Sequence, residues 1–451
     1  MPSGDRNGRA ARTGVWQALR GVLRWRVVVP LVLVVGYLIA LAYTEAVVRA
    51  KLDEIKAKGE PLTLAEMAPK LPLGADNAAD LYLQAFGFMW QGANFEQAMK
   101  DLSYARSILP QAEPIIELLE EASRMQTCAF PVDWNAPAAS LVFPHYARMR
   151  ESARLISARA RVLAVDGKCD EALGDISAMY RMAEHVKADP TLIGLLLGHA
   201  IQGIAGDALE AALSAGDPSP EACRKLFDQF GKIDHRGAVR RAFLAERAFG
   251  IETFEGFRAG DPATVQSFFD TIQTGGSPTI DPQAAPYSAY CTIGRALLNL
   301  DEASYLDYMD WQIRVLDAAT RSPPGQGAPQ AGPGLKLGLL GAMLAPVMDR
   351  TKLSAQRREA EIAVARIALA LKAYHADRGR YPKSLADLRA AGFDLPMDPF
   401  AGADLRYRRE NQGFIVYSLG PNMADDNATE YDSKTMSYTD GPYDIVLRVK
   451  R

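Results

Sequence analysis

Between residues 46 and about 320, apolar residues recur at every third and fourth position and strand-like alternation is scarce, so this stretch reads as helical. One stripe is Met149, Ala153, Ile156, Ala160 and Leu163, and a second is Leu173, Ile176, Tyr180 and Ala183. The two predict a helical hairpin that turns at Asp166-Gly167-Lys168 and buries both stripes together. Further helices are expected at 76 to 92, 111 to 125, 190 to 214, 218 to 230, 235 to 258 and 300 to 320.

The pattern sharpens near the C-terminus. Ala360, Val364, Ile367, Leu371 and Tyr374 mark one face of a helix that starts near Leu353 and ends near Gly379. Alternating runs at Leu405 to Arg408, Phe414 to Ser418 and Asp444 to Val449 predict strands, the first two joined through Asn411-Gln412-Gly413. A helix laid across a small antiparallel sheet is expected. Residues 321 to 334 hold four prolines and four glycines, a composition that neither helix nor central strand tolerates, and so form a linker or long loop. The apolar segment LKLGLLGAMLAPVMD beyond it either packs on the body or lies on a membrane.

One run departs from all of these patterns. From Val27 to Thr44 eighteen residues carry no charge, enough as a helix to cross about 27 Å of hydrocarbon. Six arginines precede it and Glu45 follows, so the positive-inside rule places the N-terminus in the cytoplasm and the remainder outside the cytoplasmic membrane. The rival reading is a signal peptide cleaved after Ala40-Leu41-Ala42, which releases the body as a secreted protein. The chain thus divides into an Arg-rich terminus (1–26), a transmembrane helix (27–44), a helical-hairpin body (45–320), a linker with an apolar segment (321–350) and a C-terminal α+β domain (351–451). The fold class is mainly α.

Charge and chemistry narrow the function. Residues 1 to 26 carry a local +5 within a formal net charge of −3, which leaves −8 for the rest. An acidic body without a basic stripe is a poor binder of nucleic acid. Outside the cytoplasm Cys128, Cys169, Cys223 and Cys291 meet oxidising conditions; they form structural bridges in one of three pairings or stay as buried thiols, and their spacing matches no metal or redox motif. The five histidines, at 145, 185, 199, 235 and 375, form no ligand pair at helical spacing and read as structural, although His145 and His185 could meet across the hairpin. No nucleophile elbow or phosphate loop occurs, and Glu120-Glu121 and Asp301-Glu302 read as solvated helix faces. No catalytic residue is assigned.

Several motifs carry resemblances. The junction DGKCDEALGDI resembles the middle of a tetratricopeptide unit, without a 34-residue period in the body, which implies stacked helical hairpins. GEPLTLAEMAPKLP, DNAADLYLQAF, the hairpin and RAFLAERAFG together resemble uncharacterised exported, membrane-anchored proteins of planctomycete-type bacteria, for which no activity is established.

The C-terminal segment resembles the soluble part of the type II secretion major pseudopilin. It does so through Gly379-Arg380-Tyr381-Pro382, Ser384-Leu385, Asp398-Pro399-Phe400, Leu405-Arg406-Tyr407, Tyr417-Ser418-Leu419-Gly420 and Asp444-Ile445. The resemblance implies the order long helix, short helix, strands, but the family's processing site is missing, so fold carries over and fibre assembly does not. It also implies a calcium site after Y-S-L-G, with Asn422, Asp425, Asp426 and Asp444 as side-chain ligands and Leu419 offering its carbonyl; otherwise the loop is a solvated acidic one. Three functions follow as expectations: a non-enzymatic membrane-anchored envelope protein that binds a protein partner, an accessory part of a type II secretion or pilus-like system, and a hydrolase with an unrecognised carboxylate site.

Overall fold

A computed structural model describes residues 7–71, 76–89, 92–260, 294–319, 338–432, 435–437, 439 and 441–450. The Pro/Gly segment 321–334 and Cys291 lie outside these residues. The chain is 68% helical, with one small antiparallel sheet, as the periodicities predict.

It divides into two compact units. The smaller takes Met1–Glu60, Phe254–Leu306 and Lys336–Gly341; the larger takes Pro61–Thr253, Asp307–Leu335 and Ala342–Arg451. In the smaller unit, α1 (Asn7–Ala57) is one continuous helix that contains the whole apolar run and Pro30. Its apolar side chains are bare: Val27, Leu31, Leu33 and Ile39 are each more than half exposed, which makes this run a candidate membrane anchor or signal. The burial pattern changes at Thr44, Val48 and Ile55, all covered by protein.

There the Thr44 hydroxyl accepts a bond from Asn299 Nδ2 (3.2 Å), Asn299 Oδ1 accepts from Arg258, and Arg258 pairs with the fully buried Glu302. Asp301 is also buried, so the expectation of a solvated face at Asp301-Glu302 is corrected. That side of the helix is turned into the unit, and Arg258 supplies the charge that makes burial of Glu302 tolerable.

The larger unit starts with α2 (Leu64–Met67), α3 (Ala78–Phe88), α4 (Phe95–Lys100) and α5 (Leu102–Arg124). Its hairpin is α6 (His145–Val165) and α7 (Cys169–Lys187), followed by α8 (Leu192–Ala215), α9 (Pro220–Gly231) and α10 (His235–Ala259), of which residues up to Thr253 belong here. Gly167 makes the hairpin turn in the left-handed region, at φ +80°. Capping side chains start the helices where the sequence changes character: Asn77, Asn94, Asp101, Thr191 and Ser219 each accept from a backbone N–H of the first turn.

Alanines let α6, α7 and α8 approach one another closely. Ala153, Ala158, Ala160, Ala172, Ala178, Ala183, Ala205, Ala208 and Ala212 are all fully buried. The remaining apolar helix, α8, has the length and hydropathy to cross a membrane but lies mostly within this core.

After α11 (Arg295–Ala319), which belongs to this unit from Asp307 on, α12 (Leu339–Arg378), which belongs to it from Ala342 on, takes in the end of the apolar segment and the helix read from Leu353, and stops at Gly379 (φ +70°). Then come α13 (Leu385–Ala390) with a Ser384–Asp387 capping box, and strands β1 (Arg406–Glu410), β2 (Gly413–Ser418) and β3 (Ile445–Val449) in the order β1-β2-β3. Val416 pairs with Tyr407 on one side and Leu447 on the other. One hydrophobic core extends from Ala78 in α3 through the helices to Val449 in β3. Lys372, buried in α12, ties this core together by donating to the Gly216 carbonyl (2.8 Å) and Asp217 (3.0 Å) at the end of α8.

Candidate functional site

A groove of about 1020 Å³ lies between α5, α6, α7 and α9. Helical spacing builds it. Arg106, Leu109, Pro110, Glu113, Glu120 and Arg124 line it from one side of α5, and Asp170, Gly174, Ser177 and Arg181 from α7 at intervals of four, three and four. Val162, Leu163, Leu173 and Leu226 give it apolar patches.

At its centre stands Arg159, whose side chain is 14% exposed. Its Nε donates to Asp175 (2.9 Å) and Nη1 to Glu113 (3.0 Å), while Nη2 serves both Asp175 and Glu120. Burial lifts the Asp175 carboxyl to about 6, against the opposing pull of Arg159. Glu120 also pairs with Arg124, so Glu120 is a member of this network and not part of a solvated face.

Arg181 differs from its neighbours. Its Nη1 donates to the Ser177 hydroxyl (2.7 Å), and Nη2 and Nε donate to the Ser123 hydroxyl (3.3 and 3.4 Å). Both hydroxyls spend their own protons elsewhere, Ser123 on the Glu120 carbonyl and Ser177 on Gln229. Burial and then the nearby Arg124 lower its pKa, and no carboxylate among the described residues pairs with it.

No histidine or cysteine among the described residues lines this groove. His145 is buried on Asp189 (2.8 Å) beneath the Phe130 ring, and His185 bonds the Tyr82 hydroxyl (2.9 Å) and the Met125 carbonyl (3.0 Å). Each therefore has a structural partner other than the opposite histidine. Cys128 and Cys223 are buried free thiols that burial pushes up to about 12, so neither is a ready nucleophile; Cys169 is buried as well.

The four acidic-loop residues fall in one loop with different tasks. Asn422 Nδ2 donates to Asp426 (2.8 Å), whereas Asp425 accepts from the Tyr417 hydroxyl (3.1 Å) and lies near Arg406 (3.8 Å). Asp444 accepts the Ala428 N–H (2.7 Å) and fixes that residue at φ +60° over the sheet, where it packs with Ile415 and Tyr417. The Leu419 N–H is bound by Asp398, which also takes the Ser418 hydroxyl and the Phe400 N–H. Among the described residues, no group of three or more histidine, cysteine or acidic side chains converges as a metal site.

Asp444→Asn is expected to destabilise the larger unit by about 1–3 kcal/mol, because its amide can leave the buried Ala428 N–H unpaired. Thermal unfolding measures this. Repeating it in millimolar calcium separates two uses of the loop, since a bound cation raises the midpoint of the wild-type protein but not that of the variant.

Comparison with protein families, curated proteins and solved structures returns no match.

Proposed function

We propose that this chain is a non-enzymatic, membrane-anchored protein of the cell envelope that holds a segment of a protein partner in the groove of its helical body. The observation that carries the reading is the groove itself, with apolar patches among charged side chains and carboxylates Glu113, Glu120 and Asp175 held by Arg159. Paired carboxylates suit recognition better than proton transfer, which sets this reading above a hydrolase.

Retention of the anchor is supported by the unbroken helical backbone of α1 through Ala40-Leu41-Ala42, where a signal peptidase needs extended chain. The arginines before the span favour a body outside the cytoplasm by the positive-inside rule. Val34→Arg sets a charge in the middle of the span at a cost of about 2.5–3.5 kcal/mol to insertion, and is expected to shift the full-length chain out of the membrane fraction. An unchanged membrane fraction counts against the anchor.

The order of α12, α13 and the three strands agrees with what the pseudopilin resemblance implies. A place beside a secretion machine rests on that order alone, and normal secretion after deletion of the gene removes it.

The groove is tested by a photo-crosslinking residue at Leu163, compared with one at the exposed Arg409 on β1. A discrete adduct from Leu163 in the native membrane, absent from Arg409, is expected. Equal labelling at both positions ends the proposal.

A further inference from the structure

The network around Arg159 leaves an asymmetry along the groove. Its centre gathers three carboxylates on one guanidinium, Arg106 is matched by Asp166, and Lys168 stands by Glu171. Only at the Arg181 end does a half-buried guanidinium rest on neutral hydroxyls alone among the described residues. Three of its five N–H groups are engaged there, and Ser177, bonded to it at 2.7 Å, lines the groove beside it.

We infer that the groove binds an extended peptide segment bearing a carboxylate, an Asp or Glu side chain or a free C-terminus, which docks on Arg181 with Arg124 beside it. The inference rests on the proposed function and specifies its ligand. A guanidinium with open N–H groups in a partly desolvated site is matched best by a planar carboxylate that takes two parallel bonds. Burial, then the like charge of Arg124, disfavours the charged form of Arg181; Tyr82 and Glu120 offset this only in part, and an arriving anion in direct contact relieves it.

The length of the groove indicates a chain rather than a lone anion. From Asp170 to Arg181 along α7 is about 16 Å, the span of about five extended residues. Pro110, Leu163 and Ala222, which keep exposed surface in the lining, can take apolar side chains of the same segment.

The test is selection of displayed random decapeptides, half with free and half with amidated C-termini, on the full-length protein in nanodiscs, followed by anisotropy titration of the winners. A shared carboxylate is expected, with affinity reduced about tenfold or more by Arg181→Gln and less by Arg181→Lys. Arg181→Glu should reverse the preference toward Lys and Arg peptides, an outcome that loss of folding cannot imitate. Winners that bind in the groove without a shared carboxylate, or that bind Arg181→Gln unchanged, overturn this inference and leave the groove reading standing. A selection that yields no binder overturns both.

Discussion

Arg159→Ala is expected to destabilise the larger unit by about 3–5 kcal/mol at neutral pH, the range found when one partner of a buried ion pair is removed. The loss is large because of what stays behind. Asp175 is 1% exposed on the inner side of α7, and among the described residues Arg159 is its one hydrogen-bond and ion-pair partner. Glu120 and Glu113 lose the same cation and then repel one another and Asp175.

The pH dependence identifies the cause. The Asp175 carboxyl already sits at about 6 beside Arg159, and removal of the cation moves it higher. A carboxyl raised in the folded state binds its proton there before the unfolded chain does, so acidification stabilises the fold. The gap between variant and wild type should therefore narrow as pH falls from 7 toward 5. Urea midpoints across that range measure it, and a constant gap assigns the effect to lost packing instead. Arg159→Ala with Asp175→Asn, which removes the stranded charge, should recover part of the loss.

How legible these residues were depends on how local their causes are. The hairpin reads directly from its two stripes and from Gly167, because both are properties of neighbouring residues. The strands likewise follow from alternation over four to six positions.

By contrast α5 starts at Leu102, not near 111, with Pro110 and Pro114 inside it. Prolines argue against helix interiors because each removes a backbone bond. Here the Asp101 cap and burial of Leu109, Ala112, Ile115, Ile116 and Leu119 outweigh that loss.

The groove was harder to see. Arg159 lies three residues after Ile156 and four before Leu163, on the apolar stripe itself, which is the one local sign that it is not a surface charge. Its partners Glu113, Glu120 and Asp175 come from two other helices, and Arg181 is notable only because, among the described residues, it is bonded to hydroxyls and to no carboxylate. Neither fact exists until the helices are packed. The same holds for Lys372 and Asp217, which meet across 155 positions. The acidic loop shows the converse: its composition suggested cation ligands, while the register of β2 and β3 gives Asp444 a backbone N–H to hold.

Acidification exposes a second buried charge problem, at His199 and His235. Both are held neutral: burial, then Lys187 and Arg358, lower His199 to about 2, and burial with Lys187 lowers His235 to about 3 although Asp234 opposes it. The facing groups come from α7, α12, α10 itself and the turn before it. They are Lys187 of α7 with its partner Glu184, Arg358 of α12 with Glu361, and Asp234 with Arg241 of α10. Since the folded values are depressed, the unfolded chain takes protons first; stability from these groups is complete above about 6.5 and is lost as pH falls toward 3. The slope for one histidine is about 1.4 kcal/mol per pH unit, so His199 alone removes about 3 kcal/mol by pH 4.5, and His235 adds a comparable loss. That sum approaches the whole stability of an ordinary domain. Glu210, raised to about 7 by burial and the nearby Glu430, together with Asp175 and Asp444 near 6, pushes the other way over the same interval. The wild-type curve alone therefore cannot apportion the loss, whereas the difference between wild type and His199→Asn can, because the carboxylates are common to both. The expected result is a urea midpoint for the variant that falls less steeply between pH 6.5 and 4.5, by about 3 kcal/mol over the interval. Parallel curves would show that His199 does not remain neutral in the fold, and would remove Lys187 and Arg358 as the charges that keep it so.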